Sequence, residues 1–140
     1  MRKILLPCDG SENALRAVRY AASVVKERPD AQLELLYVDD PVPLGLHAAL
    51  SAQELARGQA DEAIHILHPA MKILDAEGVR YQMRWRTGSP AAEIARHARE
   101  NECESIIMGT RGLGPIASVV IGSVATKTVH LADVPVTLVK

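Results

Sequence analysis

Cysteine is scarce in this chain, with only Cys8 and Cys103 among 140 residues, and that excludes a disulfide-stapled scaffold. Cys8 would close one strand and Cys103 would precede another. In neighbouring parallel strands those positions fall at opposite ends, about 15 Å apart at roughly 3.3 Å per residue. A bridge needs Cα atoms within about 7 Å, so both are read as reduced thiols that serve packing. No sign of charge dominates either: 16 Lys and Arg stand against 17 Asp and Glu, a net charge of −1. Surfaces that track phosphate backbones need a basic excess, so nucleic acid is not an expected partner. No apolar run approaches the roughly 18 residues of a membrane span. The opening MRKILLPCDG turns polar too early for a signal peptide, and the expected location is the cytoplasm, with no membrane partner.

Catalytic and metal signatures are missing as well. The chain has no G-x-x-x-x-G-K-[ST] phosphate loop. Ser11 lacks the G-x-S-x-G elbow of a nucleophile and reads as a helix cap. His65 and His68, with His47, come nearest to a metal set, but no cysteine or carboxylate completes it. They are expected to be solvated or partly buried imidazoles. His97 and His130 each fall alone on a predicted helix, and Trp85, the single tryptophan, is expected half-exposed.

What is present is an ordinary soluble balance, 48% hydrophobic and 24% charged residues, at a length that suits one domain over residues 1–140 with a real core. KILLPC (3–8) is a short apolar run stopped by Asp9-Gly10. Leu15, Val18, Ala22 and Val25 then recur at helical spacing and predict a helix over 12–27. LELLYV (33–38) is a second strand. Leu55, Ala63, Leu67, Met71 and Leu74 place a helix over 51–77, closed by Gly78. Pro69 lies inside it, and its missing N–H and crowding ring predict a kink or break. VRYQMRWR (79–86) alternates as a half-open strand near an edge, and Ser89-Pro90 starts a helix running to about Asn101. SIIMG (105–109) reads as a strand buried on both faces, a helix ends near Ala132, and VPVTLV (134–139) is the last strand. Strands alternating with helices give an α/β class: a three-layer α/β/α sandwich around a five-stranded parallel sheet.

One segment breaks the pattern. GTRGLGPIASVVIGS (109–123) follows a buried strand with glycines and repeats Gly-Ser at its end. In open parallel sheets ligands bind beyond the carboxyl ends of the strands, where strand order reverses. If the first and fourth strands are central neighbours, Asp9-Gly10-Ser11 and the segment from Gly109 line that crevice. Glycines there let main-chain N–H groups approach an anion closely, and a helix N-terminus favours negative charge. The plainer alternative is that glycine simply opens a turn after a strand, which covers Gly109 and Gly112. It leaves Gly122 unexplained in a helix-forming stretch, where glycine costs about 1 kcal/mol relative to alanine.

Gly109, two residues, Gly112, nine residues, then Gly122-Ser123 resembles the nucleotide-binding pattern of the universal stress protein family. ILLPCDGSENALRAVRYAA, LELLYVDD, RTGSPAAEIARHA and VPVTLVK resemble other parts of the same family, so the likeness covers nearly the whole chain apart from 41–60. The resemblance implies a Rossmann-like adenine-nucleotide-binding fold with strand order 3-2-1-4-5. It implies ATP as ligand, with a divalent ion, Mg2+ or Mn2+, to compensate the triphosphate. In that reading Pro7 and Asp9 lie by the adenosine, Val38 offers backbone groups to the adenine edge, and Met108 and Gly109 border the ribose. Gly112, Gly122, Ser123 and Val124 hold phosphates, mainly through backbone amides, with Arg111 as the loop's one cation because Gly114-Pro115 stands where relatives carry a lysine. Cys8 occupies a position the family usually gives to Val or Thr. The implied role is a nucleotide-linked regulator in the stress response, reading ligand state out to a protein partner. It is not expected to be an efficient enzyme. A slow ATPase or phosphotransferase is one alternative, and a dimeric module with an empty or AMP-binding pocket is the other. Val134 to Val139 should form an exposed sheet edge, and pairing it with a second copy would make a homodimer.

Overall fold

The computed structural model describes residues 2–39, 41, 49–111 and 121–140. Apolar runs set the sheet. β1 (Arg2–Pro7) is buried from Ile4 onward, and β2 (Ala31–Asp39) is buried through its middle. β4 (Ser105–Gly109) is buried from Ile106 to Gly109, as expected of a strand covered on both faces. Two further strands, β3 (Tyr81–Thr87) and β5 (Val136–Val139), are only partly buried. They are the edges of a five-stranded sheet in the order β3-β2-β1-β4-β5, and every pairing is parallel. The register sets Leu5 beside Ile106 and Leu6 beside Leu35.

Because side chains alternate across a strand, neighbouring residues feed different cores. Leu6, Leu33, Leu35 and Ile107 meet α1 (Glu12–Lys26) and α2 (Ala52–Ala76) through Val18, Leu67 and Leu74. Leu5, Leu36, Ile106 and Met108 meet α3 (Pro90–Glu100) and α4 (Ser123–Leu131) through Ile94, Ala98 and Ala125. Each fully buried leucine contributes roughly 1.5–3 kcal/mol. The thiols serve these cores. Cys8 packs into the first and Cys103 into the second, both free. Burial pushes each to about 11, so both stay protonated near neutral pH.

Helix ends follow local chemistry. Ser11 caps α1, its Oγ accepting from the Ala14 N–H at 3.2 Å. Ser51 caps α2 by accepting from the Glu54 N–H at 3.1 Å. After α2, Gly78 adopts a left-handed φ of 69°. There the Gly78 and Val79 N–H groups donate back to Asp75 and Leu74. That capture of the Val79 amide is why β3 begins at Tyr81 and not at 79.

Two expectations are narrowed. Pro69 does not break α2, which runs continuously from Ala52 to Ala76. Pro69 and His65 lie on the exposed side, where water can serve the carbonyl that proline leaves without a donor, while Ala63, Leu67, Ala70 and Leu74 hold the opposite face against the sheet. His97 is the one histidine of α3, but it has partners from the sheet. It is 4% exposed, with Nε2 at 3.3 Å from Glu34 Oε1 and Nδ1 at 3.2 Å from Arg86 Nη1. Glu34, itself buried, also meets Lys3 and Arg84. Arg86 pairs with Glu93 and Glu100, each at 3.1 Å. The polar residue that calls for this arrangement, Glu34, sits unmarked inside the apolar run LELLYV.

Candidate functional site

The reversal of strand order falls between β1 and β4, where β1 pairs with β2 on one side and β4 on the other. Beyond their carboxyl ends opens a cleft of about 310 Å³. All but one of the residues expected at a ligand border it: Pro7, Asp9, Val38, Met108, Gly109, Arg111, Gly122, Ser123 and Val124. The exception, Gly112, lies outside the described residues, as do Gly114, Pro115 and His47. The exposed His65 and His68 take no part, and among the described residues no group of three metal-binding side chains is found.

The cleft lining is mostly apolar, with a few polar groups. Pro7 from β1, Val38 from β2 and Met108 from β4 face Pro90 and Ile94 of α3. Pro90 and Ile94 escaped sequence reasoning, although a signal existed: proline at the first position of α3 places that helix's start at the same sheet edge as every other strand exit. Such a surface suits a flat, weakly polar ring. Asp9 stands at the β1 exit, one carboxylate oxygen accepting from the Ser11 N–H at 3.0 Å, which fixes the turn into α1. Among the described lining residues, Asp9 is the one carboxylate and Arg111 the one guanidinium. Cys8 also lines the cleft, but as a protonated thiol it offers surface, not charge.

The glycines behave differently from expectation. A Cβ on Gly109 would sit 2.5 Å from Asn13 Oδ1, so the missing side chain makes room for the protein's own amide, not for an incoming anion. Gly122 is extended, a conformation open to any residue, and caps α4 without a side-chain hydrogen bond. Its N–H already donates to the Thr110 carbonyl at 2.6 Å, which removes it from the expected set of phosphate donors in this conformation. The amides with no acceptor inside the helix are those of the first turn, Ser123, Val124 and Ala125. They concentrate the positive end of the helix dipole at the cleft.

Residues 1–140 match the universal stress protein family. The universal stress protein MJ0531 of Methanocaldococcus jannaschii is 33% identical over 140 residues, 99% of this chain and 82% of that protein. Among solved structures, the hypothetical protein MJ0577 aligns with a TM-score of 0.82 at 27% identity, over 99% of this chain and 95% of that one. A universal stress protein in complex with cAMP gives 0.77 at 22% identity, over 99% and 97% of the two chains. The universal stress protein from Archaeoglobus fulgidus in complex with dAMP gives 0.67 at 23%, over 100% and 98%. The last two likenesses establish the fold alone. The family match runs the whole length of a sheet ordered β3-β2-β1-β4-β5, and by it this chain belongs to the universal stress protein family.

Proposed function

We propose that the protein binds an adenine nucleotide in the cleft between β1 and β4 and acts, as one domain over residues 1–140, as a nucleotide-linked regulator in the stress response. The observation that carries this reading is one cleft lined both by apolar residues and by a helix N-terminus without a side-chain cap. The apolar lining suits the adenine between Val38, Met108 and Ile94, with Pro7 and Asp9 by the adenosine. Ser123 and Val124 amides, with Arg111, suit the phosphates. The cAMP and dAMP held by two proteins of the same fold support the same ligand class.

ATP is the ligand we favour, with Mg2+ or Mn2+. The lining residues offer that ion one carboxylate, so phosphate oxygens and water would supply most of its ligands. One cation and one carboxylate are a sparse set for phosphoryl transfer, and the reading is binding with at most slow hydrolysis. Ligand that prefers one conformation shifts the population towards it, and a protein partner reads the result. The partly buried edge strand β5 and the exposed Val129 and Leu131 of α4 suit a homodimer paired along Val134 to Val139. Two free, buried thiols suit the reducing cytoplasm.

The test is mass spectrometry of small molecules released from gently purified protein, followed by calorimetric titration with magnesium–ATP, AMP and cAMP. Release of an adenine nucleotide, and saturable heat with at least one of the three, is the expected result. Protein that releases none and binds none at millimolar concentration would end the proposal.

A further inference from the structure

Asn13 is the second residue of α1, a place where side chains usually meet solvent, yet it is only 5% exposed. Its amide group joins two other parts of the molecule. Nδ2 donates to the carbonyl of Val139, the last residue of β5, at 3.1 Å. Oδ1 accepts from the backbone N–H of Arg111 at 2.6 Å. The Val139 carbonyl accepts a second time, from the Thr110 N–H at 3.0 Å. Gly109 has no Cβ where one would lie 2.5 Å from Asn13 Oδ1. Three successive residues at the β4 exit, Gly109, Thr110 and Arg111, are therefore arranged around one side chain and one carbonyl. Asparagine is a modest helix former, and here both ends of its amide are used by groups distant in sequence.

We infer that Asn13 is a positioning residue that sets the cleft backbone at Arg111 and ties it to the end of β5, so that ligand affinity depends on a contact outside the cleft lining. The inference rests on the adenine-nucleotide reading of the cleft. Its physical content is simple. Without the acceptor, the Arg111 amide must find water, and the backbone that carries this cation loses its tether. Without the donor, the end of the edge strand loses its tie to α1. A nucleotide that orders Arg111 would then be linked, through Asn13, to whatever pairs with β5.

Calorimetry with AMP and magnesium–ATP tests this on the wild type, Asn13→Ala, Asn13→Asp, Gly109→Ala and the double variant Asn13→Ala/Gly109→Ala. Amide NMR gives a second readout. Asn13→Ala should weaken binding about tenfold, the scale of one buried hydrogen bond to a placed group. The Arg111 amide should move upfield and exchange faster while the amides of β1 and β2 keep their protection. Asn13→Asp keeps the acceptor and should recover most of the affinity. Gly109→Ala should weaken binding by displacing Asn13, and the double variant should lose no more than either single change, because both act through one displacement. Should Asn13→Ala fold poorly, Asn13→Asp and Gly109→Ala carry the same comparison, the first keeping the acceptor in place and the second displacing it. Wild-type affinity in Asn13→Ala, an unmoved Arg111 amide, or losses that multiply in the double variant would overturn the inference alone. A wild type that binds neither nucleotide would overturn the reading of the cleft, and this inference with it.

Discussion

Helix α3 serves two polar regions of opposite character. Its Pro90 and Ile94 wall the cleft, while Glu93, His97 and Glu100 of the same helix join the cluster around Glu34 and Arg86. In the cluster, polar groups are met by the protein itself. Glu34, 2% exposed, has His97, Lys3, Arg84 and the Cys103 thiol around it. At the cleft end of the sheet, polar groups are left over: the first-turn amides of α4 lack intrahelical acceptors. Among the described residues, the one buried side-chain oxygen without a hydrogen-bond partner is Asp39 Oδ1, beside Val38 at the end of β2. Buried polar groups cost free energy unless paired. Spent groups therefore mark structure, whereas the first-turn amides of α4, whose residues line the cleft, are the unspent ones that the proposed ligand would meet.

The strongest way to break that comparison is to spoil the cluster and look for an effect at the cleft. Glu34→Ala should lower unfolding free energy by about 3 kcal/mol, because a buried network loses its central acceptor and His97 keeps no acid partner. Urea unfolding measures this. Lys3 and Arg84, with side chains 29% and 47% exposed, can turn to water, which holds the loss near the lower end for broken buried pairs. Nucleotide affinity should change less than about twofold. A large loss of affinity in protein that is still folded would mean that the two regions are one site.

A second change should separate stability from binding. Ser123→Asp puts a carboxylate at the first position of α4, against amides that have no acceptor in the helix. The helix gains about 0.5 kcal/mol from its own dipole, and the melting temperature should rise slightly. Binding should weaken about tenfold or more, since the new charge repels phosphate and occupies its donors. Raised stability with unaltered affinity would remove the α4 terminus from the ligand's path.

The contrast also shows what was legible in the chain. Apolar runs and their turn residues place every strand and the first three helices of the described fold to within two residues, and the end of α4 but not its start. Gly109 and Gly122 mark the correct end of the sheet. The reasons for those glycines were not legible. Asn13 stands 96 positions from Gly109, and nothing local shows that its amide needs the space a Cβ would take. Glu34 was hidden for a related reason: a period-two pattern shows which face a residue joins, but not that Arg84, Arg86 and His97 converge on that face. The break expected at Pro69 fails because a propensity argument weighs the lost hydrogen bond without knowing that Pro69 and His65 lie on the exposed side of α2. Local chemistry sets elements and their ends, whereas long-range polar contacts wait on topology.

The smallest effect tests the cluster through pH. His97 is held below its ordinary 6.5 chiefly by burial, with Glu34 pulling the other way and Arg86 and Arg84 reinforcing the depression. Arg86 can only donate, so His97 Nδ1 accepts and the ring proton sits on Nε2, towards Glu34. The folded ring is thus neutral where an unfolded one would already be charging. Below pH 6.5 the unfolded chain binds a proton that the folded chain refuses, so stability rises with pH in that window. This contribution is complete above 6.5 and is lost as pH falls towards the depressed folded value. Its slope cannot exceed about 1.4 kcal/mol per pH unit for one proton. Urea unfolding of the wild type and His97→Gln at a series of pH values should show their difference in stability shrinking or reversing on acidification, since glutamine takes up no proton in either state. A difference that stayed constant across the window would mean that the ring takes up its proton alike in the folded and unfolded chains, and one that grew on acidification would mean that the folded ring is charged and holds a salt bridge with Glu34 where a neutral hydrogen bond is assigned.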